Sequence, residues 1–189
     1  MIKVTGSIKR AFVFPADTNT ALFYYSELER ITQFMPHINP VEVYEPNQIR
    51  VLYKTLELGS YAIRIFCDLH STVELDEQTL LLQPLNKYQP VESKASINTT
   101  TGQGIFSLSA KFFELDEHQT RVEYEIILDA NLPRPLGMRL MPRRVVNRIA
   151  KNITDSRIRE IADGFIAASV AAFPEWAAEN EPIIYKNAL

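Results

Sequence analysis

The densest chemistry in this sequence is a run of cations. Between Arg134 and Arg159 stand Arg134, Arg139, Arg143, Arg144, Arg148, Lys151, Arg157 and Arg159, with Asp155 as the one acid. The segment carries +7, so the rest of a chain whose total is −3 carries −10. A chain that is acidic overall is not a general nucleic-acid binder, but one face of it can hold anions. At its N-terminal end the run is interleaved with Leu132, Leu136, Met138, Leu140 and Met141, in a stretch (131–142) that holds three prolines and a glycine. Apolar side chains among arginines suit peripheral contact with a membrane, where each basic residue near anionic headgroups contributes roughly 1 kcal/mol. The same residues also fit a loop packed on its own core, or a basic helix face that docks an acidic partner. Stacking aromatics are not interleaved with these arginines, so no nucleic-acid partner is expected.

Little else has the spacing of a catalytic centre. His37, His70 and His118 are scattered, and none has a second ligand-type residue at metal spacing on its own element, so neither a metal nor a cofactor is expected. Asp68 and His70 share the polar parity of one strand and read as a surface salt bridge. Cys67, the lone cysteine, falls on the apolar parity and reads as a small buried hydrophobe. Gly102-Gln103-Gly104 precedes a strand rather than a helix, which argues for a bend or bulge and against a phosphate cradle. Glu123 and Glu125 are paired in number only, on a polar parity. Tyr61 and Tyr124 lie on apolar parities and are the polar groups best placed to orient a ligand or handle a proton in an interior.

These side chains need elements to position them. Residues 2–14 alternate, with Val4, Ile8, Phe12 and Phe14 against Lys3, Thr5, Ser7 and Lys9, which is a half-buried strand. Pro15 and Asp17 end it, and Asp17 is placed to cap a helix. Ala21, Tyr24, Leu28, Ile31 and Met35 then predict one amphipathic helix that stops before Pro36. Strand patterns follow to Ala130. The longest sets Tyr61, Ile63, Ile65, Cys67, Leu69, Val73 and Leu75 against Arg64, Asp68, His70 and Glu74. The last two put Phe106, Leu108, Ala110 and Phe112, then Val122, Tyr124, Ile126, Leu128 and Ala130, on dry faces. Short turns between them imply an antiparallel meander with one wet face. From Val146 to Ala172 the spacing is helical, predicting a terminal helix of about 30 residues, roughly 45 Å long, that ends before Pro174.

With 46% hydrophobic residues over 189 positions, the chain can build a core, read as one domain over 1–175 with a tail at 176–189. Disordered, collagen-like and disulfide-scaffold classes are excluded by the same composition. No apolar run is long enough for a membrane span, and the first ten residues alternate at once, leaving no room for a signal peptide. The expected location is cytoplasmic.

The order strand, helix, about six strands, long helix describes an α+β fold: a curved antiparallel sheet of six or seven strands around a C-terminal helix. The chain resembles the START-like, or helix-grip, superfamily of polyketide cyclases, lipid-transfer domains and pollen-allergen-like proteins. The residues that carry the likeness are Phe14-Pro15-Ala16-Asp17, Met35-Pro36-His37-Ile38 and Val41-Glu42-Val43, together with the long terminal helix. It also resembles an uncharacterised family of that superfamily from cyanobacteria and plastids, through Glu57-Leu58-Gly59-Ser60-Tyr61, Leu132-Pro133-Arg134-Pro135-Leu136-Gly137 and Leu140-Met141-Pro142. The likeness spans roughly residues 5–175 and rests on structural punctuation rather than catalytic residues, so it implies fold more than function.

In that superfamily sheet and helix enclose a hydrophobic cavity. A strongly curved sheet cannot touch a straight helix along its whole length, so bulky side chains or a ligand must fill the gap. The candidate lining is Phe106, Leu108, Phe112, Tyr124, Ile126, Leu128, Ile161 and Phe165, with Tyr61, each of which also reads as ordinary core. The expected guest is a hydrophobic small molecule such as a lipid, carotenoid or tetrapyrrole. Arg134, Arg139, Arg143, Arg144 and Arg148 are the candidates for membrane or anion contact. The alternatives are a cyclase-like or hydrolytic enzyme using Tyr124 or Tyr61 in the same cavity, and an interaction protein.

Overall fold

A computed structural model describes the backbone of residues 1–187 and the side chains through Asn180. In chain order its elements are β1 (Ile2–Phe14), α1 (Thr18–Ser26), α2 (Leu28–Gln33), β2 (Ile38–Glu45), β3 (Gln48–Glu57), β4 (Tyr61–Glu74), β5 (Thr79–Pro84), β6 (Lys94–Ala95), β7 (Thr99–Asp116), β8 (Gln119–Leu132), a 3-10 turn (Leu136–Met138) and α3 (Arg143–Asn187). The strands form one sheet in the order β1-β8-β7-β5-β4-β3-β2, with the two-residue β6 added on β7. This is the helix-grip arrangement, and the alternating parities predict its inner face: Phe106, Leu108, Phe112, Tyr124, Ile126 and Leu128 are all buried.

One pairing is parallel. The N-terminal part of β7, Thr99–Gln103, runs beside Ala62–Phe66 of β4, because β5 lies between them only farther along. The two glycines permit this closure. A Cβ on Gly104 would come within 2.5 Å of Ile65 Cγ2, and one on Gly102 within 2.9 Å of Leu132 Cδ2. The Gly102–Gly104 segment is therefore a close strand approach, not the expected bend or bulge. The register shift between β7 and β8 lies at Glu114/Asp116 instead.

Two helical expectations are corrected. The Asp17 carboxylate does accept from the Thr20 amide at 3.0 Å, but the helix it caps ends at Ser26 and restarts at Leu28. Ser26 Oγ donates back to the Phe23 carbonyl at 2.7 Å, competing with the helical ladder, and Glu27 is extended. The terminal helix does not stop before Pro174. It runs unbroken for 45 residues, about 68 Å, although Pro174 has no amide to offer the Val170 carbonyl. Packing overrides the proline: Phe173 and Trp176 on either side of it are buried among Phe14, Phe23 and Tyr24.

Named contacts clamp the middle and C-terminal turns of α3 to the rest. A Cβ on Gly6 of β1 would lie 3.0 Å from Thr154 Cγ2 and 3.4 Å from Ile158 Cδ1. Tyr124 Oη donates to the Ala162 carbonyl at 2.7 Å, while Tyr24 and Tyr25 donate to the Ser169 carbonyl and hydroxyl at 2.8 and 2.9 Å. Gly164 sits against the turn after α2, where a Cβ would be 2.4 Å from Pro36 Cγ. A proline ring cannot swing away. Alanine at position 164 is thus expected to destabilise by about 1–3 kcal/mol through overpacking, although alanine gains about 1 kcal/mol over glycine in an open helix. A fall in the urea midpoint of Gly164→Ala checks this; a rise would mean that the helix does not approach so closely.

Candidate ligand cavity

The N-terminal part of α3, from Val146 to Ile161, roofs a hollow above the sheet. Its sheet wall is Ile2 and Val4 of β1, Leu128 and Leu132 of β8, and Tyr61 to Ile63 and Ile65 of β4. Its roof is Val146, Ile149, Ala150, Ile153, Ile158 and Ile161 of α3, and Pro135 and Met138 border it from the loop before that helix. The hollow is narrow, with a cavity volume of about 60 Å³.

Of the nine candidate lining residues, Tyr61, Leu128 and Ile161 face this hollow. Leu108, Phe112, Tyr124 and Phe165 gather at the opposite end with Tyr25, Ile31 and Leu80, around a space of only about 10 Å³. Phe106 and Ile126 are buried on the same inner face and border neither space. The aromatic end is a packed core. Tyr124 is spoken for by the Ala162 carbonyl, and burial holds its phenol far above the usual value.

Two charged residues of the wall lie outside the expected set. Glu57, at the end of β3, is buried, and its carboxylate accepts from Arg157 twice (Nε to Oε1 at 2.7 Å, Nη2 to Oε2 at 3.2 Å) and from Thr55 Oγ1 at 2.6 Å. Arg157 Nη1 also donates to Glu160, whose other oxygen meets His37 Nε2 at 2.9 Å. Burial pushes the Glu57 carboxyl up, but the donors and the charge of Arg157 outweigh it, leaving a net lowered pKa. Hydrogen bonds from Arg157 and His37 likewise lower Glu160. The signal was present in the sequence, since Glu57 shares the parity of Ile49, Val51 and Tyr53, and Arg157 is four residues from both Ile153 and Ile161.

Four of the wall's polar side chains, Glu57, Arg157, Thr100 and Thr154, are thus hydrogen-bonded within the protein. Thr100 Oγ1 donates to the Pro133 carbonyl at 2.7 Å and Thr154 Oγ1 to the Ala150 carbonyl at 2.8 Å. A carboxylate held ionised by three donors makes a poor proton shuttle. Cys67 is also unreactive: burial pushes its thiol up to about 12. Among the described residues no cluster of His, Cys, Asp and Glu has the makings of a metal site.

The expected Asp68–His70 pair is absent. Asp68 is buried and takes a bidentate contact from Arg50 (2.6 and 2.8 Å) and another from Gln103 Nε2 at 3.1 Å. The segment after β5 covers it, because the Leu85 amide donates to the Asp68 carbonyl at 2.8 Å and Arg50 reaches the Gln89 carbonyl at 2.9 Å. Among the arginines of the basic run, Arg139, Arg143, Arg144 and Arg148 are exposed. Arg134 instead turns inward to the Met141 carbonyl and ties its own loop together.

No protein-family model and no curated protein matches this chain. Solved structures do. A conserved protein from Geobacillus kaustophilus superposes with a TM-score of 0.52 at 6% identity, over 92% of this chain and 96% of that one. The Zhui aromatase/cyclase from Streptomyces sp. R1128 superposes at 0.50 and 8% identity, over 93% and 95%. A START superfamily protein from Mycobacterium smegmatis reaches 0.44 at 14% identity, over 84% and 94%. At 6% and 8% identity the first two show a likeness of fold.

Proposed function

We propose that the protein binds an apolar small molecule in the hollow between the sheet and the N-terminal part of α3. The observation that carries this reading is the wall itself, which is mostly aliphatic and whose Glu57, Arg157, Thr100 and Thr154 are hydrogen-bonded within the protein. Such a lining holds a guest by burying its surface, at about 25 cal/mol per Å² of apolar area, and asks for no polar match. The narrowness of the enclosed room favours a slender acyl or isoprenoid chain over a tetrapyrrole. The cluster of Glu57, Arg157 and Glu160 sums to −1, which disfavours a carboxylate head lodged against that wall. The segments through which the sequence resembles the cyanobacterial and plastid family, Glu57–Tyr61, Leu132–Gly137 and Leu140–Pro142, include Glu57, Leu58, Tyr61, Leu132 and Pro135 of this lining.

The test is direct. Native mass spectrometry and organic extraction of the purified protein, followed by titration with a fluorescent long-chain alcohol, are expected to give one saturable guest per chain. A protein that retains nothing and takes up no probe would overturn the reading.

A further inference from the structure

We infer that the mouth of the hollow docks on the surface of an anionic lipid bilayer, a proposal that names the partner for the cavity reading above and rests on it. Three chain tips meet at that mouth. The Leu136 and Gly137 amides donate to the Ser96 and Ile97 carbonyls at 2.9 and 3.1 Å, and the Ala62 amide donates to Asn98 at 2.8 Å, beside the β3–β4 turn. The tips expose Leu58 (60%), Ile97 (70%), Leu136 (41%) and, past the 3-10 turn, Leu140 (100%). Leu58 also lines the hollow and holds a left-handed φ of 50°, which crowds the Cβ of any residue but glycine.

The charges point the same way. Exposed Arg139, Arg143, Arg144 and Arg148 follow the tips, and among the described residues none of them has an acidic partner. Two of them occupy the first turn of α3, which contains no acid. That is the positive end of the helix dipole, where cations weaken the helix. Apolar side chains in water, a leucine in a glycine conformation and arginines at the wrong helix end each cost stability in the free protein. A bilayer with anionic headgroups compensates for the exposed leucines and the arginines together, and brings the opening of the hollow to the phase where an apolar guest resides. Among the described residues no helix is long and apolar enough to cross that bilayer, so the contact is at its surface.

The experiment is sedimentation of the full chain with phosphatidylcholine vesicles, with or without phosphatidylglycerol. Binding is expected only to the second kind, and to weaken with salt. Arg143→Gln with Arg144→Gln should bind about thirtyfold less well, while melting no lower than the parent. Leu136→Ser with Leu140→Ser should also release the protein, and both variants should still take up the long-chain alcohol in solution. No binding to phosphatidylglycerol vesicles by a chain that takes up the alcohol would overturn the docking proposal and leave the cavity reading standing. Equal, salt-insensitive binding to both vesicle types would overturn it too.

Discussion

Arg157→Met is expected to lose about 3 kcal/mol of stability, the lower end of what removing one partner of a buried ion pair costs. The lower end applies because the Arg157 side chain keeps 28% of its surface in water, while that of Glu57 keeps only 8%. In a domain of this size the loss is roughly 6–12 °C in melting temperature. The pH dependence gives the loss a signature. In the parent the folded Glu57 pKa lies below its ordinary value of 4.5, so the stabilisation is complete above about pH 4.5 and disappears as pH falls through the folded value. In the variant the largest opposition to burial is gone and only the Thr55 hydroxyl and His37 still favour the anion, so the carboxyl rises and ionisation becomes costly as pH rises. The gap between the two proteins should therefore be wide at neutral pH and close on acidification. A Glu57→Met, Arg157→Met double variant should recover most of the loss, because an apolar pair replaces the buried ions without leaving either one alone. A small, pH-independent gap would mean that the pair is solvated and not part of the cavity wall.

Ala150→Phe is expected to weaken binding of a long-chain alcohol by at least about a hundredfold, since the new ring occupies the narrow room a guest needs. Ala150 lines the hollow from α3 and has a small side chain. Stability should hold or rise by about 0.5–2 kcal/mol, as filling an apolar space commonly gives. Asn152→Phe, on the exposed side of the same helix, is the control and should bind as the parent does. Unchanged affinity in Ala150→Phe, measured by titration, would place the guest elsewhere.

The strands and their faces were readable because a period of two is local information. From Val122 to Ala130 the alternate residues that read as dry are the ones buried. The burial of Asp68 was not readable: its cover is an aperiodic segment after β5, and its partner Arg50 comes from another strand. Pro174 misled for a related reason, since a local helix breaker is outweighed by the burial of Phe173 and Trp176 against residues far away in sequence. The position of the hollow is a subtler case. Parity says that Phe112, Tyr124, Leu128 and Ile161 all face inward, but not where the helix leaves room. That is decided by Gly6, Gly164 and the tyrosine hydroxyls that hold down one part of α3. Glu57 was visible on the buried parity of β3, yet a glutamate at a strand end is ordinarily solvated, and only its contact with a helix a hundred residues on makes it part of the wall.

The central claim, that a guest lies under the N-terminal part of α3, is tested most directly by intermolecular nuclear Overhauser contacts between a bound alkyl chain and methyl-labelled protein. The chain protons are expected to contact Val146 and Ile158 of the roof and Leu128 and Ile2 of the sheet. Contacts confined to the exposed Leu136 and Leu140, or to none of these methyls, would contradict it.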